Sequence, residues 1–83
     1  MPIDYTKLRN LTARDIIAAL IKDGFSLRHQ KGSHQRYRHP DGRRVTVTFH
    51  KASGTFPLGT LRSMIERQAQ WDEDDLKRLG LLK

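Results

Sequence analysis

The chain has no cysteine, which excludes disulfide staples, thiolate zinc sites and a thiol nucleophile. Acids are also scarce: nine Asp and Glu stand against sixteen Lys and Arg, for a formal charge of +7. A carboxylate-built magnesium site therefore has few residues to draw on. No apolar run approaches the ~18 residues of a membrane span, and Met1-Pro2-Ile3-Asp4-Tyr5 lacks the basic-then-apolar pattern of a secretory signal. A cytoplasmic protein without a membrane partner is expected. Length is the remaining shortage. With 83 residues the chain makes a single domain, and one of this size buries only about 60% of the surface that its unfolded chain exposes. The working surface should then be an open face and not a deep internal pocket.

What is present is basic charge, and it is concentrated. Between Phe25 and Lys51 the sequence carries Arg28, Lys31, Arg36, Arg38, Arg43, Arg44 and Lys51 against the single acid Asp41. Such a cluster is the footprint of a polyanion, because each Lys or Arg set against a phosphate releases condensed counterions. A solvated face that serves only solubility is the alternative.

Residues 1–11 show no clear period and read as an N-terminal arm, leaving 12–83 as one domain. Thr12 with Asp15 three residues later predicts a helix start with a capping box, and Ile16, Ile17, Leu20 and Ile21 fall on one helical face before Gly24 ends it. The period then changes to two. Phe25 and Leu27, Tyr37, and Val45, Val47 and Phe49 each alternate with polar residues, which predicts three strands. Gly32-Ser33 joins the first two and Pro40-Asp41-Gly42 the last two, so the strands form an antiparallel meander. Lys51 to Phe56 reads as a loop. Pro57 opens a second helix with an apolar stripe of Leu58, Leu61, Met64 and Ile65, and Asp72 caps a short last helix pinned by Leu76, Leu79 and Trp71. An α+β fold follows, with both helices on one face of a three-stranded sheet and the other face free. This order resembles the double-stranded-RNA-binding fold.

Alternation also assigns the strand faces. If Tyr37 points to the core, His34, Arg36 and Arg38 point to the open face. RNA carries its own nucleophile in the 2′-hydroxyl, so cutting it requires one proton removed, charge stabilised on phosphorus and one proton delivered to the 5′-oxygen. An imidazole, which titrates near pH ~6.5, can do either transfer. Lys31, Arg36 and Arg38 would hold phosphates, Gly32 would allow close backbone approach, and Ser33 can donate a hydrogen bond to phosphate. Spacing alone leaves open whether His34 reacts or only contacts RNA. By parity with Phe25 and Leu27, His29 is expected to be a partly buried strand residue, and His39 to hold the turn. His50 has the parity of Thr46 and Thr48, which offers a second proton-transfer group on the open face. No histidine pair has metal-ligand spacing, and the acids Asp72-Glu73-Asp74-Asp75 are read as helix capping, so neither a metal nor a small-molecule cofactor is expected.

The segments Gly24-Phe25, Gln30-Lys31-Gly32-Ser33-His34, Tyr37-Arg38-His39-Pro40-Asp41-Gly42-Arg43, Val45-Thr46-Val47 and Gly59-Thr60-Leu61-Arg62-Ser63-Met64-Ile65, taken in order from about Thr12 to Leu79, resemble the HicA toxin family, also called YcfA-like. The resemblance implies a double-stranded-RNA-binding-like fold and the toxin of a type II toxin–antitoxin pair, an mRNA interferase acting on mRNA. It further implies that the histidine of the Gly-Ser-His motif, His34, is catalytic, and that a HicB antitoxin binds the toxin and masks that histidine. Lys31, Gly32, Ser33, Arg36, Arg38, Arg43, Arg44 and Lys51 are the expected RNA contacts. The competing expectations are a non-catalytic RNA-binding module on the same fold and a domain whose basic face meets an acidic protein.

Overall fold

The structure, a computed structural model, describes residues 3–82; residues 1, 2 and 83, the outer ends of the expected arm and domain, lie outside the described residues. The chain begins with a 3₁₀ turn at Tyr5–Lys7, followed by helix α1 (Ala13–Asp23) and strands β1 (Ser26–Lys31), β2 (His34–Arg38) and β3 (Arg44–Thr48). Helix α2 (Leu58–Arg62) runs directly into a π-helical stretch, Ser63–Gln68, and α3 (Glu73–Arg78) closes the fold. The sheet is antiparallel in the order β1-β2-β3. This is the α+β arrangement of the double-stranded-RNA-binding type, with a short C-terminal helix added.

The helix ends follow their local chemistry. Thr12 and Asp15 bond each other's backbone N–H reciprocally, and Gly24 takes φ 107° at the end of α1, a left-handed conformation open to glycine at little cost. A side chain there would also meet the His39 ring at 2.9 Å. Asp72 and Asp75 repeat the capping box at α3. Within α1 the buried residues are Ala13, Ile16, Ala19 and Leu20. The expected stripe is therefore rotated: Ile17 is only partly buried, and Ile21 is 59% exposed because it lies a further 100° around the helix from Leu20. Leu58 of the second stripe, in the first turn of α2, is likewise exposed, while Leu61, Met64 and Ile65 are buried.

The core joins Tyr37, Val45 and Val47 of the sheet to Ile16 and Leu20 of α1, Leu61, Met64 and Ile65 of the second helix, and Trp71, Leu76 and Leu79 of the C-terminal segment. Tyr5 and Leu8, from the segment without a sequence period, belong to it too, with Leu8 fully buried. Their burial was not legible because a 3₁₀ turn of three residues shows no repeat. The loop after β3 holds the start of α1 through Ala13 N–H to Gly54 O (2.9 Å) and Arg14 N–H to Ala52 O (3.0 Å). In the π-helical stretch Ala69 N–H reaches back to Met64 O, and Gln68 Oε1 accepts from the Thr46 N–H at 2.8 Å. That bond occupies the Thr46 donor on the outer edge of β3.

Candidate nucleic-acid interface

Register decides what the open face carries. Across β2 and β3, His34 lies opposite Thr48, Arg36 opposite Thr46 and Arg38 opposite Arg44, while Tyr37 lies opposite Val45 and Gln35 opposite Val47. Directly paired residues share a face. Tyr37, Val45 and Val47 are buried, so His34, Arg36, Arg38, Arg44, Thr46 and Thr48 all stand on the uncovered side, and each is exposed. Lys31, opposite His34 across the Gly32-Ser33 turn, joins them. Gly32 makes that turn with φ 58°.

Leu27 pairs with Tyr37 as alternation predicts, yet it is 45% exposed, because β1 is the edge strand and its core-side face is left uncovered. Pairing shifts between Leu27 and His29, a β-bulge at Arg28 that turns the rest of the strand over. His29 therefore lies opposite Arg36 on the open face, not partly buried as parity with Phe25 predicted. Sequence reasoning also missed Arg28, which with His29, Arg36, Arg38 and Arg44 lines a concavity of about 460 Å³. For His29 a signal was present. Counting outward from the Gly32-Ser33 turn pairs Lys31 with His34 and His29 with Arg36; counting inward from Phe25 carries the bulge along as an error.

The cations fall into two groups. Arg28, Lys31, Arg36, Arg38 and Arg44 take part in no ion pair among the described residues. Arg38 and Arg44 face each other directly, an arrangement that costs stability unless an anion lies between. Arg43 is committed elsewhere. Its guanidinium bonds Asp41 (2.7 Å) and the Ala69 carbonyl (2.6 Å), pairs with Asp23 (3.1 Å) and covers the Phe25 ring at 5.0 Å. It is thus turned to the opposite side, where Asp23 also accepts from Trp71 Nε1 and Arg78. Lys51 is exposed in the bend after β3, off the sheet.

The histidines separate in the same way. His34 Nδ1 lies 3.1 Å from Thr48 Oγ1, a hydrogen bond whose direction follows the tautomer; the cross-strand bond fixes the ring and leaves Nε2 for a substrate. His39 has both ring nitrogens engaged, Nε2 with Asp23 O at 2.8 Å and Nδ1 with the Asp41 N–H at 3.1 Å, in the structural role expected of it. His50 lines a smaller hollow with Gln30, Gly32, Ser33, Gln35 and Phe49. Phe49 N–H bonds Ser33 O at 3.1 Å, which carries the β2–β3 register one pair past His34 and Thr48; His50 comes after that last pair and lies against the turn, in a hollow that does not include His34. Burial pushes the Tyr37 hydroxyl above its usual range, and it donates to Gln35 at 2.6 Å, which removes it as a base. Among the described residues no group of three or more His, Asp or Glu converges as a metal would require.

A small α+β domain whose uncovered sheet face is cationic and free of carboxylates, with an anchored imidazole at its hairpin end, defines the class. A model of the family described as the HicA toxin of bacterial toxin–antitoxin systems matches residues 13–71. The chain belongs to this family. The match runs from α1 through the whole sheet to Trp71 and so includes the open face, while the 3₁₀ turn and α3 lie outside it. No curated protein matches the chain. Among the described residues no helix is long and apolar enough to cross a membrane.

Proposed function

We propose that this HicA toxin is an mRNA interferase, a metal-independent endoribonuclease that uses His34 as general acid or base, and that a HicB-like antitoxin restrains it by covering the same face. The observation that carries the reading is the His34–Thr48 contact of 3.1 Å on the cationic face. An exposed imidazole in an RNA-contact row has no structural need for an anchor, whereas a proton-transfer group gains from a ring held in one orientation. Lys31, Arg36, Arg38, Arg44 and the added Arg28 hold the phosphates, with Gly32 and Ser33 at the turn where the backbone can approach. In the reaction the 2′-oxygen attacks phosphorus, the bond from phosphorus to the 5′-oxygen breaks, and the products are a 2′,3′-cyclic phosphate and a 5′-hydroxyl. Guanidinium groups around the phosphate stabilise the charge that accumulates in the transition state.

The test is His34→Ala on the purified protein. It should abolish cleavage of mRNA transcripts and relieve growth arrest, with RNA affinity within about threefold of the parent. Arg36→Ala with Arg38→Ala should instead weaken binding and lower the salt slope by about one for each lost phosphate contact. Full cleavage by the His34→Ala protein would remove His34 from the mechanism, and intact RNA after prolonged incubation with the parent would leave a binding module.

A further inference from the structure

The bulge in β1 brings a second imidazole to the site. His29 lies opposite Arg36, and Lys31 opposite His34, which makes His29 and His34 diagonal neighbours on one face of the β1–β2 hairpin. Diagonal cross-strand neighbours stand about 7–8 Å apart, with side chains long enough to converge on a common ligand. His29 is exposed and lines the 460 Å³ concavity that Arg28, Arg36, Arg38 and Arg44 enclose from β1, β2 and β3. Of the remaining histidines, His39 has both nitrogens occupied and His50 sits against the turn.

We propose that His29 is the second proton-transfer group of this face, completing an acid–base pair with His34. The proposal rests on the reading of the chain as an endoribonuclease. In-line attack places the 2′-oxygen and the 5′-oxygen on opposite sides of phosphorus, and a proton-transfer group must come within about 2.6–3.2 Å of the oxygen it serves. One imidazole is poorly placed to reach both oxygens; two separated by several ångströms, with the phosphate between them, can each serve one. As the bond from the 2′-oxygen to phosphorus forms, one imidazole takes the hydroxyl proton. As the bond to the 5′-oxygen breaks, the other delivers its proton there, so the pair finishes with its protonation exchanged and no other reactant is needed. The groups that face His29 are Arg28 and Lys31 on its own strand, Arg36 opposite, and Arg38 and Arg44 across the concavity. All are cationic; His34 does not itself line the concavity, and it is Lys31 and Arg36, the cross-strand partners of His34 and His29, that draw phosphate between the two histidines.

The test uses the whole chain with an oligoribonucleotide spanning a cut site mapped on a transcript, and the same oligonucleotide with sulfur in place of the scissile 5′-oxygen, a leaving group that needs no proton. His29→Gln should lower kcat by about 10²–10⁴-fold, keep the dissociation constant for RNA within about threefold, and convert a two-limbed pH–rate profile into a single limb. The sulfur substrate should rescue one of the two variants, His29→Gln or His34→Ala, and not the other, which assigns acid and base. Wild-type turnover with both limbs intact in His29→Gln overturns the proposal while leaving His34 in place. So does a loss confined to binding, which would make His29 a phosphate contact, and so does rescue of neither variant or of both. Failure of the parent protein to cleave any transcript overturns the endoribonuclease reading itself, and the pair with it.

Discussion

Thr48 is a β-strand residue on an exposed face, and its value lies in the 3.1 Å contact to His34 Nδ1. A hydrogen bond of this kind is worth about 0.5–1.5 kcal/mol. Thr48→Val keeps the β-branched shape and removes the hydroxyl, so kcat on RNA should fall by roughly threefold to tenfold, with RNA affinity and thermal stability close to those of the parent. Thr48→Ser should restore most of the rate. An unchanged kcat in Thr48→Val would show that the ring is oriented by substrate alone. Arg43 teaches the opposite lesson at the same scale: a guanidinium inside a basic run, counted with the phosphate ligands on sequence, is bonded to Asp41, Asp23 and the Ala69 carbonyl. Its neighbour Arg44 is free for the open face because one residue along a strand reverses the side.

Among the elements, α1, the β2–β3 connection, Trp71 and α3 meet at Asp23, whose side chain is only 8% exposed. Burial pushes its carboxyl up, but hydrogen bonds from Trp71 and Arg78 and the charges of Arg43 and Arg78 outweigh this and hold it below the usual carboxylate value. A group depressed in the folded state stabilises the fold above its unfolded pKa, about 3.9, and that contribution is lost as pH falls through the folded value. Thermal unfolding should therefore shift to lower temperature as pH drops from 5 toward 2. Arg43→Ala, which strips a partner from a nearly buried carboxylate, should lose about 2–4 kcal/mol in urea unfolding at pH 7, and full stability in that variant would mean Arg78 and Trp71 suffice. The turns at Gly32-Ser33 and Pro40-Asp41-Gly42, the capping box at Thr12 and the cap at Asp72 were legible because each rests on contacts within a few residues. Strand β1 was only half legible. Its polar run Arg28-His29-Gln30-Lys31 offers no alternation, so the face of His29 is set by where β2 pairs and not by its own pattern.

Across the whole molecule, one core serves the sheet and all the helical pieces, and it extends to the N-terminal segment through Tyr5 and Leu8. Tyr5 adds a hydrogen bond to Glu66 and lies under the Arg62 guanidinium at 5.1 Å, fastening the segment to the second helix. Leu8→Ala, which opens a cavity at a site with no exposure, should cost about 2–5 kcal/mol, read as a fall in the urea midpoint with little change in slope. A loss below about 1 kcal/mol would mean that the segment packs independently of the core. The cationic face is remote from this change, so RNA affinity of the folded fraction should be retained.

The sequence alone determined the order of elements, the caps and turns that bound them, the burial of Tyr37, Val45 and Val47, and the placement of His34, Arg36 and Arg38 on one side. These depend on short-range periodicity and on residues with special backbone preferences. Only the tertiary structure decided that Arg43 leaves the basic face, that Arg28 joins it, that Thr48 meets His34, and that Leu8 is core. Each of those depends on pairing between distant segments: a bulge resets parity, an ion pair captures a side chain, and burial is conferred by neighbours the local sequence does not name.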